Sequence, residues 1–347
     1  MKKNISDLLD AYGDPNVELE QATPLSSERI KELTMSKIKE ETAPKKRRTT
    51  FRVMMAAAII VTLAVSVFAA GNSAAWFQDF FAKQSHSEMS LSQIEYVQKN
   101  TAEQVQSQSI NGYTVTLDSY ITDGSTMYAK IRIEIPETSA VSDVSLAFED
   151  GPWLMKDGEP IGGASATWKL LEWDEAARTG TYLLRYQWIN ASQGNVQTGS
   201  VELVMTNLVS TDDRKNYLAE GTWRFEVNIP EAEVVELAEE PIGKVEVLTE
   251  QGETIEVELL RADMTAMGLR VEFLDPGYDS AYYMMGVWAI LEDGTQVLLR
   301  EKTFGARDLE EGTIRWIYFE PESPTPLEEV MYVEFPGGTR ITVSAVE

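Results

Sequence analysis

The side chains that perform most protein chemistry are sparse in this 347-residue chain. It has no cysteine and one histidine, His86, which excludes disulfide frameworks, thiolate zinc sites and a catalytic cysteine. Asp123, Asp157 and Asp293 each precede a glycine, a pairing typical of hairpin turns. No nucleophile elbow, phosphate-binding glycine loop or paired-histidine motif occurs. We therefore predict no catalytic residue, no metal site and no cofactor, and we do not expect an enzyme.

The N-terminal segment, which begins NISDLLDAYGDP, carries a pattern suited to protein binding. The residues that form one helical stripe at i, i+3, i+4 and i+7 are Ile5, Leu8, Leu9 and Tyr12. A looser second stripe comprises Ile30, Leu33 and Ile38. Because isolated helices this short are marginal in water, we expect both stripes to be buried in a partner's groove. The alternative is a frayed tail whose basic end lies on anionic lipid.

The longest uncharged run of the chain covers residues 53–70. As a helix rising about 1.5 Å per residue, it would cover roughly 27 Å, close to the thickness of a bilayer core. Its basic flank comprises Lys45, Lys46, Arg47, Arg48 and Arg52, and its aromatic flank comprises Trp76, Phe77, Phe80 and Phe81. Basic flanks remain in the cytoplasm, so we predict a single transmembrane helix with a cytoplasmic N-terminus. A cleaved signal peptide and a buried helix of a soluble domain are the alternatives.

The two sides of this run differ sharply in charge. Residues 1–52 hold 11 Lys and Arg against 9 Asp and Glu, whereas residues 71–347 hold 19 against 47. The external part is therefore strongly negative, which argues against nucleic acid as an external partner and leaves the external ligand undefined.

Hydrophobic residues alternate with polar ones through most of the external part, and Gly-rich turns separate the segments. This pattern predicts a mainly β fold with two tandem immunoglobulin-like β-sandwich domains. We predict a cytoplasmic segment at 1–52, a transmembrane helix at 53–70, a stalk at 71–109 and β-sandwiches at 110–238 and 239–347. Placing Gly112 on Gly252 aligns two hairpin patterns at an offset of 140 residues. A duplication is the favoured explanation, and chance similarity of two alternating patterns is the other.

The tryptophans suggest an alternative function for the external part. All eight lie at or beyond Trp76. Aromatic planes stack on sugars, so an external wall-binding or carbohydrate-binding protein with a membrane anchor is the alternative function. Burial in the core is the more common fate of such residues, and it is the one we expect for Trp188, Trp223, Trp288 and Trp316.

Several segments together resemble a family of single-pass membrane proteins from Gram-positive bacteria. These are ISDLLD at 5–10, SERIKELTMSKI at 27–38, the basic stop, the apolar run and the β-rich external part. Members of that family are regarded as anti-sigma factors for extracytoplasmic-function sigma factors. The resemblance implies that the cytoplasmic segment sequesters a sigma factor until an external event releases it. It also implies that the protein lies in the cell membrane, with its β domains outside.

Overall fold

The computed structural model describes residues 73–139, 146–161, 164–188, 198–211, 216–231, 233–237, 243–277, 282–309 and 312–343. The predicted cytoplasmic segment and the predicted transmembrane helix lie outside these ranges. Within the ranges, no helix is both long enough and apolar enough to cross a membrane.

Two helices begin the described chain, α1 (Ser73–Ser85) and α2 (Leu91–Asn100). A capping box starts α2, in which the Ser90 side chain accepts from Gln93 N and the Gln93 side chain accepts from Ser90 N. Phe77 and Phe81, one turn apart on α1, are almost completely buried. These helices lie in the range predicted as a stalk, 71–109, and their buried apolar residues are packed against other parts of the protein.

The first β unit contains two antiparallel sheets. The six-stranded sheet consists of β1 (Thr101–Ala102), β2 (Gln106–Ile110), β3 (Tyr113–Thr122), β4 (Thr126–Glu134), β7 (Ala164–Asp174) and β8 (Thr179–Trp188). The four-stranded sheet consists of β5 (Leu146–Lys156), β6 (Glu159–Pro160), β9 (Gly199–Ser210) and β10 (Tyr217–Ile229). Their orders are β1-β3-β4-β8-β7, with β2 beside β3, and β10-β9-β5-β6. One core joins the sheets, since Val115 and Leu184 of the larger sheet and Leu203 and Trp223 of the smaller belong to the same buried cluster.

Two glutamine side chains connect these sheets at the edge strand β10. Gln106 accepts from Glu226 N at 2.8 Å and donates to Glu226 O at 2.6 Å. Gln108 makes the same pair of bonds with Arg224, accepting from its N at 3.0 Å and donating to its O. The amide groups thus take the place of a neighbouring strand, which satisfies the open edge of β10.

The second β unit is a single ten-stranded antiparallel sheet. Its strands are β11 (Val235–Glu236), β12 (Gly243–Thr249), β13 (Thr254–Thr265), β14 (Gly268–Leu274), β15 (Tyr282–Tyr283), β16 (Val287–Leu291), β17 (Gln296–Leu309), β18 (Gly312–Pro321), β19 (Val330–Glu334) and β20 (Arg340–Thr342). The order is β15-β12-β13-β14-β18-β17-β16-β19-β20, with β11 beside β13. Short 3-10 turns cover Leu327–Glu329 and Pro336–Gly338. Val245 near one end of this order and Ile341 near the other share one core, so the sheet curves around it.

The mainly β prediction is confirmed. The six-stranded sheet begins at Thr101, because β1 and β2 pair with β3, and the first sandwich domain was predicted to start at residue 110. The ten-stranded sheet begins at Val235, which pairs with Met264 of β13, and the second sandwich domain was predicted to start at residue 239.

The predicted repeat has a structural counterpart, but at a different offset. The β3–β4 and β13–β14 hairpins have a β-bulge at the same place relative to the turn. Leu117 pairs with Ile131 before the first bulge, and Leu259 pairs with Phe273 before the second, which is an offset of 142 residues. The 140-residue alignment is therefore wrong by two residues. A two-residue slip keeps every side chain on the same face of a strand, so the hydrophobic pattern alone could not detect it.

Candidate functional site

The turns of the two matching hairpins meet at a buried junction between the β units. Asp123, in the β3–β4 turn, is 7% exposed. Its Oδ1 accepts from Ser125 N and Thr126 N, each at 2.9 Å, and from the Ser125 hydroxyl at 2.8 Å. Its Oδ2 accepts from Met267 N of the β13–β14 turn at 2.8 Å. One carboxylate thus shapes its own turn and holds the turn of the other unit.

The junction is built from reciprocal contacts. At the 142-residue offset, Asp123 corresponds to Thr265 and Ser125 corresponds to Met267. The hydroxyls of Ser125 and Thr265 are 3.0 Å apart, so this second contact is the counterpart of the contact between Asp123 and Met267. Reciprocal pairing of this kind is characteristic of a two-fold interface, here formed within one chain.

A buried ion pair lies beside the turns. The Arg185 guanidinium contacts the Glu320 carboxylate, with side chains 11% and 1% exposed. Tyr128 Oη donates to Glu320 Oε2 at 2.9 Å, so the carboxylate has a second partner from the first unit. Burial lowers the pKa of Arg185, but the charge and hydrogen bond of Glu320 outweigh this effect and raise it overall. Burial, reinforced by the charge of Glu320, raises the pKa of Tyr128, which remains a neutral donor.

Tyr318 of β18 completes the polar junction. Its hydroxyl and that of Thr126 are hydrogen-bonded at 2.8 Å, across the boundary between the two units. Burial raises the pKa of Tyr318, with a further contribution from the charge of Asp123. The phenol therefore remains protonated at neutral pH.

The two helices pack against both β units at this junction. Their apolar cluster comprises Phe77, Phe81, Val97, Ile121, Tyr128, Leu183 and Met267. Met267 belongs to the second unit, whereas the cluster's strand residues Ile121, Tyr128 and Leu183 belong to the first. Gln93 of α2 also donates to Ser323 Oγ of the second unit at 2.8 Å in a buried hydrogen bond. The chain that leads from the apolar run at 53–70 is thus packed where the β units meet.

Trp76 is the predicted site residue that the structure describes. Its ring lies 5.9 Å from Phe80 in a stacked arrangement and 5.0 Å from Phe77 edge-on, and Lys130 Nζ lies 5.1 Å from its centroid. Its neighbours in the structure are groups of α1 and β4, and its place at the membrane flank stays a prediction. Phe77 and Phe81, from the same aromatic flank, are core residues because β3, β4 and β8 present an apolar outer face to them.

The remaining predicted site residues lie outside the described part of the chain. They are the stripe residues Ile5, Leu8, Leu9, Tyr12, Ile30, Leu33 and Ile38, together with Lys45, Lys46, Arg47, Arg48 and Arg52. Within the part that is described, no group of three His, Asp or Glu side chains is arranged to hold a metal ion.

Arg185, Tyr318 and Glu320 were not among the predicted site residues. Arg185 and Glu320 lie within the apolar strand segments TYLLRYQWI and RWIYFEP. A charged residue in an otherwise apolar strand is a signal for a buried ion pair, because an unpaired charge is too costly to bury. The partner's identity was not available from the sequence, since 135 residues separate the two.

Comparison with known proteins gives a family match for one part of the chain. Residues 45–135 match the model of a family described as a domain of unknown function, DUF4179. That range contains both helices and β1 to β4. No curated protein matches the chain. A solved structure with some similarity is described as "the crystal structure of the conserved domain protein from Bacillus anthracis". Its identity to this chain is 16%, its TM-score is 0.42, and the match covers 63% of this chain and 72% of that one.

Proposed function

We propose that this protein is a membrane-anchored regulator, an anti-sigma factor for an extracytoplasmic-function sigma factor. Residues 1–52 hold the sigma factor in the cytoplasm, residues 53–70 form the transmembrane helix, and the β units receive an external signal. The first β unit, whose two sheets share one core, serves in this proposal as an immunoglobulin-like sandwich. The observation that carries the proposal is the order of the segments. Two short amphipathic patterns and a basic cluster precede the apolar run, and a strongly acidic β-rich part follows it.

The sigma-binding step would depend on apolar burial. Full burial of Ile5, Leu8, Leu9 and Tyr12 would contribute about 1.5 to 3 kcal/mol for each large side chain. A groove on the sigma factor would also supply the packing that short helices lack in water. The cytoplasmic segment cannot use a zinc site of histidine and cysteines, because it contains neither residue.

The packing of α1 and α2 supports a route for the signal. These helices follow the apolar run after two residues and contact both β units at the junction. An external event that shifts one β unit relative to the other would have to change the packing of Phe77, Phe81 and Met267. The chain entering the membrane would then be displaced or loosened, which is a two-state arrangement of the kind that regulators use.

The test uses the full chain in the membranes of its own cell. We would compare the unchanged protein with the Leu8→Asp/Leu9→Asp variant and with Gln21→Asp/Ala22→Asp, which adds the same two charges between the predicted helices. We expect a sigma factor to co-purify with the unchanged protein and the control only, and sigma-dependent transcription to rise when the first variant replaces the native chain. Equal recovery of sigma factor with all three proteins would refute the assignment of the stripe. Its absence from all three would favour an external binding protein whose tail serves insertion.

A further inference from the structure

A cleft of about 700 Å³ lies between the α1–α2 connection and the second β unit. Residues of the connection, including His86 and Glu88, form one wall, and the β16–β17 hairpin, including Trp288, forms the other. The buried hydrogen bond between Gln93 and Ser323 ties the two sides together at 2.8 Å. Small-molecule sites usually occupy clefts of roughly 300–1,000 Å³ between packed elements, so this cleft has the size and position of a binding site.

The charges that line the cleft are mostly negative. Its carboxylates are Glu88, Glu292, Asp293, Glu322 and Glu329. Arg300 is its one arginine, and this charge is already paired, since Arg300 Nε donates to Glu322 Oε1 at 2.7 Å. Within the described chain, the carboxylates of Glu88, Glu292 and Glu329 have no ion-pair partner. The cleft therefore has carboxylate groups available to a positively charged ligand.

Trp288 provides a second and independent feature. Two other aromatic residues of the same sheet have a cation of the chain over their rings: Arg270 lies 5.2 Å from Trp316, and Arg340 lies 4.9 Å from Tyr332. No described cation or aromatic ring stacks on Trp288, which is half-buried on the outer face of β16. An indole face next to carboxylates is the arrangement that recognises organic cations.

We propose that this cleft binds an organic cation, such as the arginine or lysine side chains of a short basic peptide. The indole of Trp288 stacks against the cationic group, and the carboxylates of Glu88 and Glu292, one from each wall, neutralise its charge. A cation held in this way bridges the helix connection and the second β unit. The binding site does not depend on any activity of the cytoplasmic segment.

The test measures binding of tri-arginine amide to the full chain in nanodiscs of zwitterionic lipid by calorimetry. We expect Glu88→Gln/Glu292→Gln to weaken binding about tenfold and Trp288→Leu to weaken it by a similar factor, with Trp288→Phe intermediate. The matched control is Glu172→Gln/Glu258→Gln, which removes two exposed carboxylates outside the cleft. It should change the affinity less than about twofold.

Two results would overturn the proposal. One is the absence of binding at millimolar peptide, and the other is equal weakening by the cleft and control pairs, which would indicate general attraction to the acidic surface. Thermal unfolding of each variant identifies any loss of fold. If Trp288→Leu does not fold, the two carboxylate pairs still decide the question, because they change only groups at the surface. Neither result bears on the capture of a sigma factor.

Discussion

The Asp123 carboxylate accepts a hydrogen bond from Met267 N, and this bond joins the turns of two corresponding hairpins in different β units. The counterpart contact, between the hydroxyls of Ser125 and Thr265, lies beside it. The junction therefore consists of directional polar bonds in addition to apolar packing. Such bonds have few acceptable geometries, so the relative placement of the two turns is well specified.

Removing the Asp123 carboxylate should destabilise the protein strongly. Asp123→Ala leaves the N–H groups of Ser125, Thr126 and Met267 without their acceptor in a buried place, and we expect a loss of about 3 kcal/mol. Urea unfolding of the purified chain, followed by tryptophan fluorescence, measures the loss. Asp293→Ala is the matched control, since Asp293 also precedes a glycine and accepts from Thr295 N, but in an exposed turn. The control should cost about 1 kcal/mol or less, and equal losses would contradict the role given to Asp123.

The ion pair of Arg185 and Glu320 should show strong coupling in a double-mutant cycle. Arg185→Met leaves Glu320, which is 1% exposed, without its cation and should cost about 3–5 kcal/mol. Arg185→Met/Glu320→Leu removes both charges and should be more stable than Arg185→Met alone. The free energy of unfolding of the four proteins gives the coupling. Additive losses would show that the two charges act independently.

How much of this organisation can be predicted from the sequence depends on how far apart the interacting residues are along the chain. Alternating patterns with Asp-Gly and similar turns predicted the hairpins β3–β4 and β13–β14, because turn chemistry and strand periodicity are local. The helix α2 is likewise marked by Ser90 and Gln93, three residues apart. The contact of Asp123 with Met267 and that of Arg185 with Glu320 connect residues more than a hundred positions apart, and no local pattern specifies them.

The environment of the helices and the start of the first sheet were also beyond what local sequence patterns specify. An aromatic cluster after an apolar run is stable in two environments, at the membrane interface or buried in a protein core. Sequence periodicity does not distinguish these two environments. Phe77 and Phe81 are buried in a protein core. The polar strand β2 lacks an apolar alternation, because its glutamines bond to the β10 backbone instead of filling a core. The six-stranded sheet therefore begins at Thr101, ahead of the alternating pattern that the sequence shows.

Alkaline pH should destabilise the first β unit through its buried tyrosines. Burial raises the pKa of Tyr182 to about 12, well above its ordinary value of about 10. A raised pKa in the folded state contributes stability that is present below pH 10 and is lost as the pH rises toward 12, because only the unfolded chain ionises easily. For each tyrosine with such a raised pKa, the free energy of unfolding falls by about 1.4 kcal/mol per pH unit in that range.

Tyr182→Phe tests this contribution directly. Phenylalanine keeps the stacking on Trp168, whose centroid lies 4.8 Å away, but it cannot ionise. We expect its free energy of unfolding, measured by urea titration at several pH values, to fall less steeply between pH 10 and pH 12. The two proteins should have parallel profiles between pH 7 and pH 9. Identical slopes above pH 10 would show that Tyr182 does not contribute to the alkaline loss.

The close approach at Gly268 gives a test of the junction that removes no polar group. A Cβ atom at this position would lie 1.7 Å from Tyr318 Oη, so Gly268→Ala must push the phenol away from Thr126. We expect a loss of about 2 kcal/mol, as for other overpacked sites, and faster hydrogen exchange of the amides in the Asp123 turn. Gly151→Ala is the control, because this strand glycine has no atom within 4 Å of a built Cβ. If both variants gave the same midpoint of thermal unfolding and the same exchange rates, Tyr318 would have room to move, and it would not hold the two β units together.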